Sequence, residues 1–336
     1  MATIYGTNYD DDIYQNKNIA VKIYGLGGDD YISLNRTDYY GGNNYVDAGS
    51  GYDKVVNYFE GGNDIFLGTG NDLYIANIKA GAKGEYDIVH GGDGNDRFDV
   101  DTLASDYYGD NGNDTFLSVG FDNYFNGGSD TDTISYELRS KSITIDLGAK
   151  KAWTGSGHYE DLVSIENATG TGYNDDITGT SGRNVLKGLN GADILEGLGG
   201  DDDLYGGSGN DDLYGGSGRD ILNGGTGTDY LVGGTGTDTF DFNSVSEIGR
   251  GTSRDVIADF HRSEYDVVDL STIDANSLTS RNDGFTFISG QSFHGIAGEL
   301  RFASGILSGD VNGDGRADFE IKMSGVTKMY VDDFFL

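Results

Sequence analysis

The chain of 336 residues has no cysteine and no proline. Without cysteine there can be no disulfide framework, no thiolate zinc site and no cysteine nucleophile. Without proline, and with glycine not recurring at every third position, a collagen-like triple helix is excluded. Basic residues are scarce: 22 Lys and Arg stand against 56 Asp and Glu, a formal net charge of −34. That charge is repelled by nucleic acid and by anionic membrane surfaces, so neither is an expected partner. No window approaches eighteen apolar residues, so no transmembrane segment is expected. The opening MATIYGTNYDDDIYQ lacks the basic, apolar and small-residue regions of a signal peptide.

What is abundant is glycine, 57 residues, together with 23 tyrosines. So many aromatics argue against a plain disordered acidic tail. From Gly170 to Asp241 the chain divides into eight consecutive nonapeptides, among them GGSGNDDLY and GGSGRDILN. The sixth positions are Asp175, Asn184, Asp193, Asp202, Asp211, Asp220, Asp229 and Asp238. Every eighth position is apolar, from Ile177 and Leu186 to Phe240. A second array of six nonapeptides runs from Ala82 to Ser135, with Asp87, Asp96, Ser105, Asp114, Asn123 and Asp132 at its sixth positions. Its eighth positions drift toward aromatics: Val89, Phe98, Tyr107, Phe116, Phe125 and Ile134. Upstream, insertions break the frame, and only isolated units fit, with Asp30, Asp53 and Asp64 at the sixth position.

Nine residues suit a stacked coil. The sequence G-G-x-G-x-D makes a tight turn, because glycine tolerates positive φ and lets carbonyls converge. The next three residues make a strand too short to be stable alone, so successive turns must stack. Two turns and two strands close one coil in eighteen residues. Asp175, Asp193, Asp211 and Asp229 are therefore predicted along one edge, and Asn184, Asp202, Asp220 and Asp238 along the other. Unscreened columns of carboxylates would repel. Carboxylates with turn carbonyls suit Ca²⁺, which takes six to eight oxygens; Mg²⁺ demands a tighter octahedron, and Zn²⁺ prefers N and S ligands. The carbonyl-bearing turn positions Gly188, Asn190, Gly197, Gly199, Gly206, Ser208, Gly215 and Ser217 are expected to complete the sites. Folding is expected to be coupled to metal binding.

These nonapeptides resemble the repeats of RTX proteins, the secreted calcium-binding family that includes bacterial haemolysins and serralysin-type proteases. The stretch after Gly234, with TDTFDF, DVIADF, GELRF, SGDVNGDGRADFEI and the closing DDFFL, is similar to the module that follows the repeats in serralysins. The resemblance implies several calcium ions, folding outside the cell, and export by a type I ABC transporter that reads an uncleaved C-terminal signal. It does not bring the protease: His90, His158, His261 and His294 are isolated, and none begins H-E-x-x-H. The haemolysins' hydrophobic pore-forming region is also missing.

The expected architecture is all-β: a parallel β-roll with a C-terminal β-rich capping module. The expected organisation is a degenerate Tyr-rich roll over 1–135, a strand-pair spacer over 136–169, a regular calcium roll over 170–241 and a serralysin-like module over 242–336. The expected function is that of a secreted, non-catalytic protein that binds extracellular glycan, matrix or cell surface. The alternative is an extracellular polysaccharide-modifying enzyme, a lyase, epimerase or hydrolase, with its site in the N-terminal half. Fifteen of the tyrosines precede residue 125. Tyr39, Tyr40, Tyr45, Tyr52 and Tyr58 could form a platform for sugar rings or a protein partner; alternatively they fill strand positions of a wider roll. Lys150, Lys151, His158 and Tyr159, beside Trp153, could supply an acid and a base, or belong to a structural hairpin. Asp310–Asp318 resembles an EF-hand loop with Ile321 where a bidentate Glu belongs; a weak site and an Asx-rich turn both remain open.

Overall fold

The computed structural model describes residues 1–15, 19–34, 42–58, 61–77, 86–155 and 157–336, in two compact units, Met1–Thr169 and Gly170–Leu336. Among the described residues the structure is all β, apart from three single 3-10 turns.

The second unit shows the nonapeptide logic most plainly. Strands Ile194–Gly199, Asp212–Gly218 and Tyr230–Gly236 stack in parallel as one sheet. Strands Val185–Asn190, Asp203–Gly209, Ile221–Gly227 and Thr239–Asp241 stack as the other. Leu195 faces Leu213 and Leu213 faces Leu231, while Leu204 faces Leu222: a register of eighteen residues, as the repeat predicts. All eight apolar eighth positions are fully buried. The turn supplies the backbone geometry. Gly207 and Gly209 sit at φ 110° and 148°, which an L side chain rarely adopts. Leu198, at the place of Gly207 one repeat earlier, holds φ 73° despite its side chain.

Beyond Phe242 the coil continues for one more layer. Asp255–Ile257 pairs in parallel with Tyr230–Gly236, and Val267–Asp269 with Thr239–Asp241. The antiparallel run Glu299–Ala303, Ile306–Asp310 and Phe319–Met323 then adds to Asp255–Ile257.

The first unit is built on the same principle with uneven coils. Phe98 faces Phe116, and Val89 faces Tyr107, eighteen residues on. Upstream, Ile13 faces Ile32 and Ile32 faces Val55, then Val55 faces Tyr74 and Tyr74 faces Phe98. Those steps are 19, 23, 19 and 24 residues. Coils with extra residues explain why a strict nonapeptide frame fails there. Within the expected spacer, strand Thr144–Asp146 pairs antiparallel with Lys151–Gly155 and Lys151–Gly155 with His158–Val163, and this last strand joins Tyr124–Ser129 in parallel.

No helix in the described residues is long and apolar enough to cross a membrane.

Candidate metal centre: buried carboxylate ladders

The sixth-position residues form hydrogen-bonded ladders along the turn edges. In the second unit the backbone N–H of Asp175 donates to Asp193 Oδ1, Asp193 to Asp211, Asp211 to Asp229 and Asp229 to Asp255, at 2.7–2.9 Å. On the other edge Asn184 donates to Asp202, Asp202 to Asp220, Asp220 to Asp238 and Asp238 to Asp266, at 2.7–3.1 Å. Each edge thus joins the residues predicted from the eighteen-residue coil. Asp255 and Asp266 extend both ladders by one rung. Their D-x-U pattern, in DVI and DVV, was visible, but no Gly-rich turn accompanies it.

Each ladder carboxylate after Asp175 spends one oxygen on its neighbour's N–H, whereas Asp175, at the start of its ladder, accepts from the N–H and hydroxyl of Thr171. The second oxygen, Oδ2, is buried without a hydrogen-bond partner in Asp193, Asp202, Asp211, Asp220, Asp229, Asp238 and Asp255. A carbonyl oxygen sits beside it. A Cβ added at Gly206 would lie 2.5 Å from Asp211 Oδ2 and 2.6 Å from the Gly224 carbonyl oxygen, and Gly215 meets Asp220 and Gly233 in the same way. Cβ atoms built at Gly170, Gly179, Gly188 and Gly197 likewise approach the carbonyls of Gly188, Gly197, Gly206 and Gly215. Position three is further occupied: the carbonyls of Ser208 and Ser217 accept the N–H of Gly191 and Gly200, and Asn190 and Gly199 lie opposite them in register.

An unpartnered oxygen buried against carbonyls is electrostatically costly. Burial accordingly pushes the Asp193, Asp202, Asp211, Asp229 and Asp238 carboxyls up to about 7, opposed by the N–H each accepts. A hard cation among these oxygens would remove the penalty, and the donor set is that of Ca²⁺. No group of three or more His, Asp or Glu side chains able to hold a metal occurs among the described residues. Carbonyls would therefore supply much of the coordination.

The first unit contains one ladder of the same kind. Asp11 donates to Asp30, Asp30 to Asp53, Asp53 to Asp72, Asp72 to Asp96, Asp96 to Asp114 and Asp114 to Asp132. The Oδ2 atoms of Asp30, Asp53, Asp72, Asp96, Asp114 and Asp132 are again buried and unpartnered. Asp72 escaped the strict frame, although it closes the turn sequence GTGND. Asp64 is a correction. It is exposed, and the ladder position belongs to buried Asn63, because the 19-residue coil from Val46 to Ile65 displaces the frame by one. Ile65 points inward in place of Phe66 for the same reason. Asp87 lies on the opposite edge, where both its carboxylate oxygens accept side-chain hydrogen bonds.

Tyr39 and Tyr40 lie outside the described residues. Tyr45 belongs to a ladder of seven rings, Tyr5, Tyr24, Tyr45, Phe66, His90, Tyr108 and Tyr124, with successive centroids 4.6–5.7 Å apart. Three of the pairs are stacked nearly face to face, so those ring faces turn toward each other. Tyr52 is 63% exposed and Tyr58 38%. In the spacer, Lys151 Nζ lies 3.5 Å over the Tyr159 ring and 3.1 Å from Asp161, and His158 pairs with Asp122. In the EF-hand-like loop Asp310 accepts the N–H groups of Gly313 and Gly315, and Asp318 those of Val311 and Asn312. Its carboxylates hold a turn together.

Residues 83–102, 108–138, 169–204 and 205–240 match the RTX calcium-binding nonapeptide repeat. No curated protein matches the chain. Among solved structures, the chain is similar to the solution structure of the AlgE6R3 subunit from the Azotobacter vinelandii mannuronan C5-epimerase, at 24% identity and a TM-score of 0.29, over 48% of this chain and 78% of that one. The chain thus carries four copies of the RTX calcium-binding repeat, two in each unit, and Ca²⁺ is the cation these repeats bind.

Proposed function

We propose that this is a secreted, non-catalytic β-roll protein that folds on calcium after type I export and then binds extracellular glycan or a cell surface. Residues 242–336 would carry the export signal. The observation that carries the reading is the set of buried carboxylates with an unpartnered oxygen. Without a cation the folded state confines charge it cannot solvate, so low calcium favours the open chain and high calcium the coil. The ring ladder supports the glycan contact. Tyr24 lies opposite Asp47, Tyr45 opposite Asp64 and Tyr124 opposite Asp106. Rows of hydroxyls and carboxylates suit a partner rich in hydroxyl groups.

A second reading rests on two surface pairs, His90 with Asp110 at 2.9 Å and His158 with Asp122 at 2.8 Å. Imidazole beside carboxylate can act as a base, so an enzyme acting on polysaccharide is the competitor. Purified protein in calcium would be offered acidic and neutral polysaccharides. Retention without turnover supports the binder; new reducing ends or unsaturated uronate support the enzyme. The calcium-coupled part is tested by far-ultraviolet circular dichroism, with equal β-signal in chelator and in calcium counting against it.

A further inference from the structure

The two edges of the first unit differ in kind. Along one run Asp30, Asp53, Asp72, Asp96, Asp114 and Asp132, each with a buried, unpartnered Oδ2. Along the other run Asn44, Asn63, Asp87, Ser105 and Asn123, all nearly fully buried. This second edge has its own ladder: Asn44 N donates to Asn63 Oδ1, Asn63 N to Asp87 Oδ1, Asp87 N to Ser105 Oγ and Ser105 N to Asn123 Oδ1. Here the side chains also bond one another. Asn44 Nδ2 reaches Asn63 Oδ1 at 2.8 Å, and Asn63 Nδ2 reaches Asp87 Oδ1 at 2.9 Å. The other oxygen of Asp87 accepts Asn57 Nδ2 at 2.8 Å and the Tyr74 hydroxyl at 3.1 Å. Asn123 Nδ2 reaches Glu160 Oε1 at 2.9 Å, and Glu160 also accepts Ser118 and Tyr136.

Amide N–H groups present positive hydrogens where a cation would need lone pairs. The two carboxylates on this edge have both oxygens engaged by donors. The edge therefore satisfies itself in the way a buried polar network must.

We propose that the first unit takes Ca²⁺ along one edge only, from Asp30 to Asp132, and that its opposite edge, from Asn44 to Asn123, is closed by its own hydrogen bonds and takes none. The open edge includes Asp30, Asp53 and Asp72, which precede the first repeat match at residue 83, so the sites extend toward the N-terminus beyond the matched repeats. The inference rests on the proposed loading of carboxylate ladders by calcium, and the test separates the two.

Full-length protein is equilibrated in calcium, freed of loose ions by gel filtration, and its bound calcium counted per chain by elemental mass spectrometry. Asp72→Asn, on the open edge, should lower the count by at least one ion. Ser105→Ala, on the closed edge, should leave it unchanged. Asp53→Asn is the second open-edge variant should Asp72→Asn not fold. An unchanged count in the folded open-edge variants, or a lost ion in Ser105→Ala, overturns the proposal while leaving calcium loading of the second unit intact. A wild-type chain that retains no calcium overturns both.

Discussion

The two units use the same kind of coil and solve the same electrostatic problem in different ways. In the second unit carboxylates line both edges, with Asp202, Asp220 and Asp238 on one and Asp193, Asp211 and Asp229 on the other. In the first, one edge keeps that pattern and the other replaces it with amides, a hydroxyl and buried phenols. Tyr74 and Tyr136 turn their hydroxyls to Asp87 and Glu160. The interior follows suit. The second unit stacks leucines, whereas the first stacks Phe98 on Phe116 at 4.8 Å and Tyr107 on Phe125 at 5.3 Å. Larger side chains bury more apolar area per coil. A roll whose core stacks aromatics and whose second edge engages its carboxylates with its own donors is expected to rely less on ions.

Chelation should break this comparison most strongly. Ligand held at a thousand times its dissociation constant contributes about 4 kcal/mol per site. Hydrogen exchange on the full chain is expected to lose protection throughout 170–241 in chelator, while strands of the first unit keep more. Uniform loss in both units would contradict the proposed difference.

Core truncation should come next. Leu213→Ala removes a fully buried side chain and Phe116→Ala a larger one. The expected costs are about 3 kcal/mol for the first and about 4 kcal/mol for the second. Denaturant midpoints in saturating calcium would measure both.

Glu160 gives the first unit its own pH dependence. Burial raises this carboxyl from 4.5 to about 7, partly offset by the hydrogen bonds from Tyr136, Ser118 and Asn123. An acid raised on folding stabilises fully below its unfolded value and loses that contribution as pH rises through its folded value. Stability should therefore fall between about pH 4.5 and 7 by an amount on the order of a few kcal/mol. Glu160→Gln should remove that slope. The readout is the difference between wild-type and variant denaturation midpoints at each pH, which cancels the slopes they share; parallel profiles would refute the assignment.

The smallest expected effect concerns the turn. Leu198 holds a left-handed conformation with its side chain half exposed. Leu198→Gly should relieve strain and gain about 0.5 kcal/mol net of the added chain entropy. Loss of stability would show that the side chain packs more than its exposure suggests.

Much of this was legible in the residues. Where the repeat is unbroken, position six marks the ladder and position eight the core, because a coil of fixed length maps sequence spacing directly onto space. The same rule misplaced Asp64 and passed over Asp72, since a coil one residue longer shifts every inward position to the outside. Asp255 and Asp266 were hidden for another reason: they join the ladders after loops whose length no repeat dictates.

By itself the amino-acid sequence determined the coil, its eighteen-residue pitch in the second unit and the calcium chemistry of its turns, all of which follow from local spacing and residue type. Only the tertiary structure decided how the first unit divides its edges. Whether a buried carboxylate keeps an oxygen free depends on neighbours 13 to 42 residues away: Glu160 reaching Ser118 and Asn123, and Tyr74 reaching Asp87. Those meetings are set by how uneven coils stack, and no local spacing encodes them.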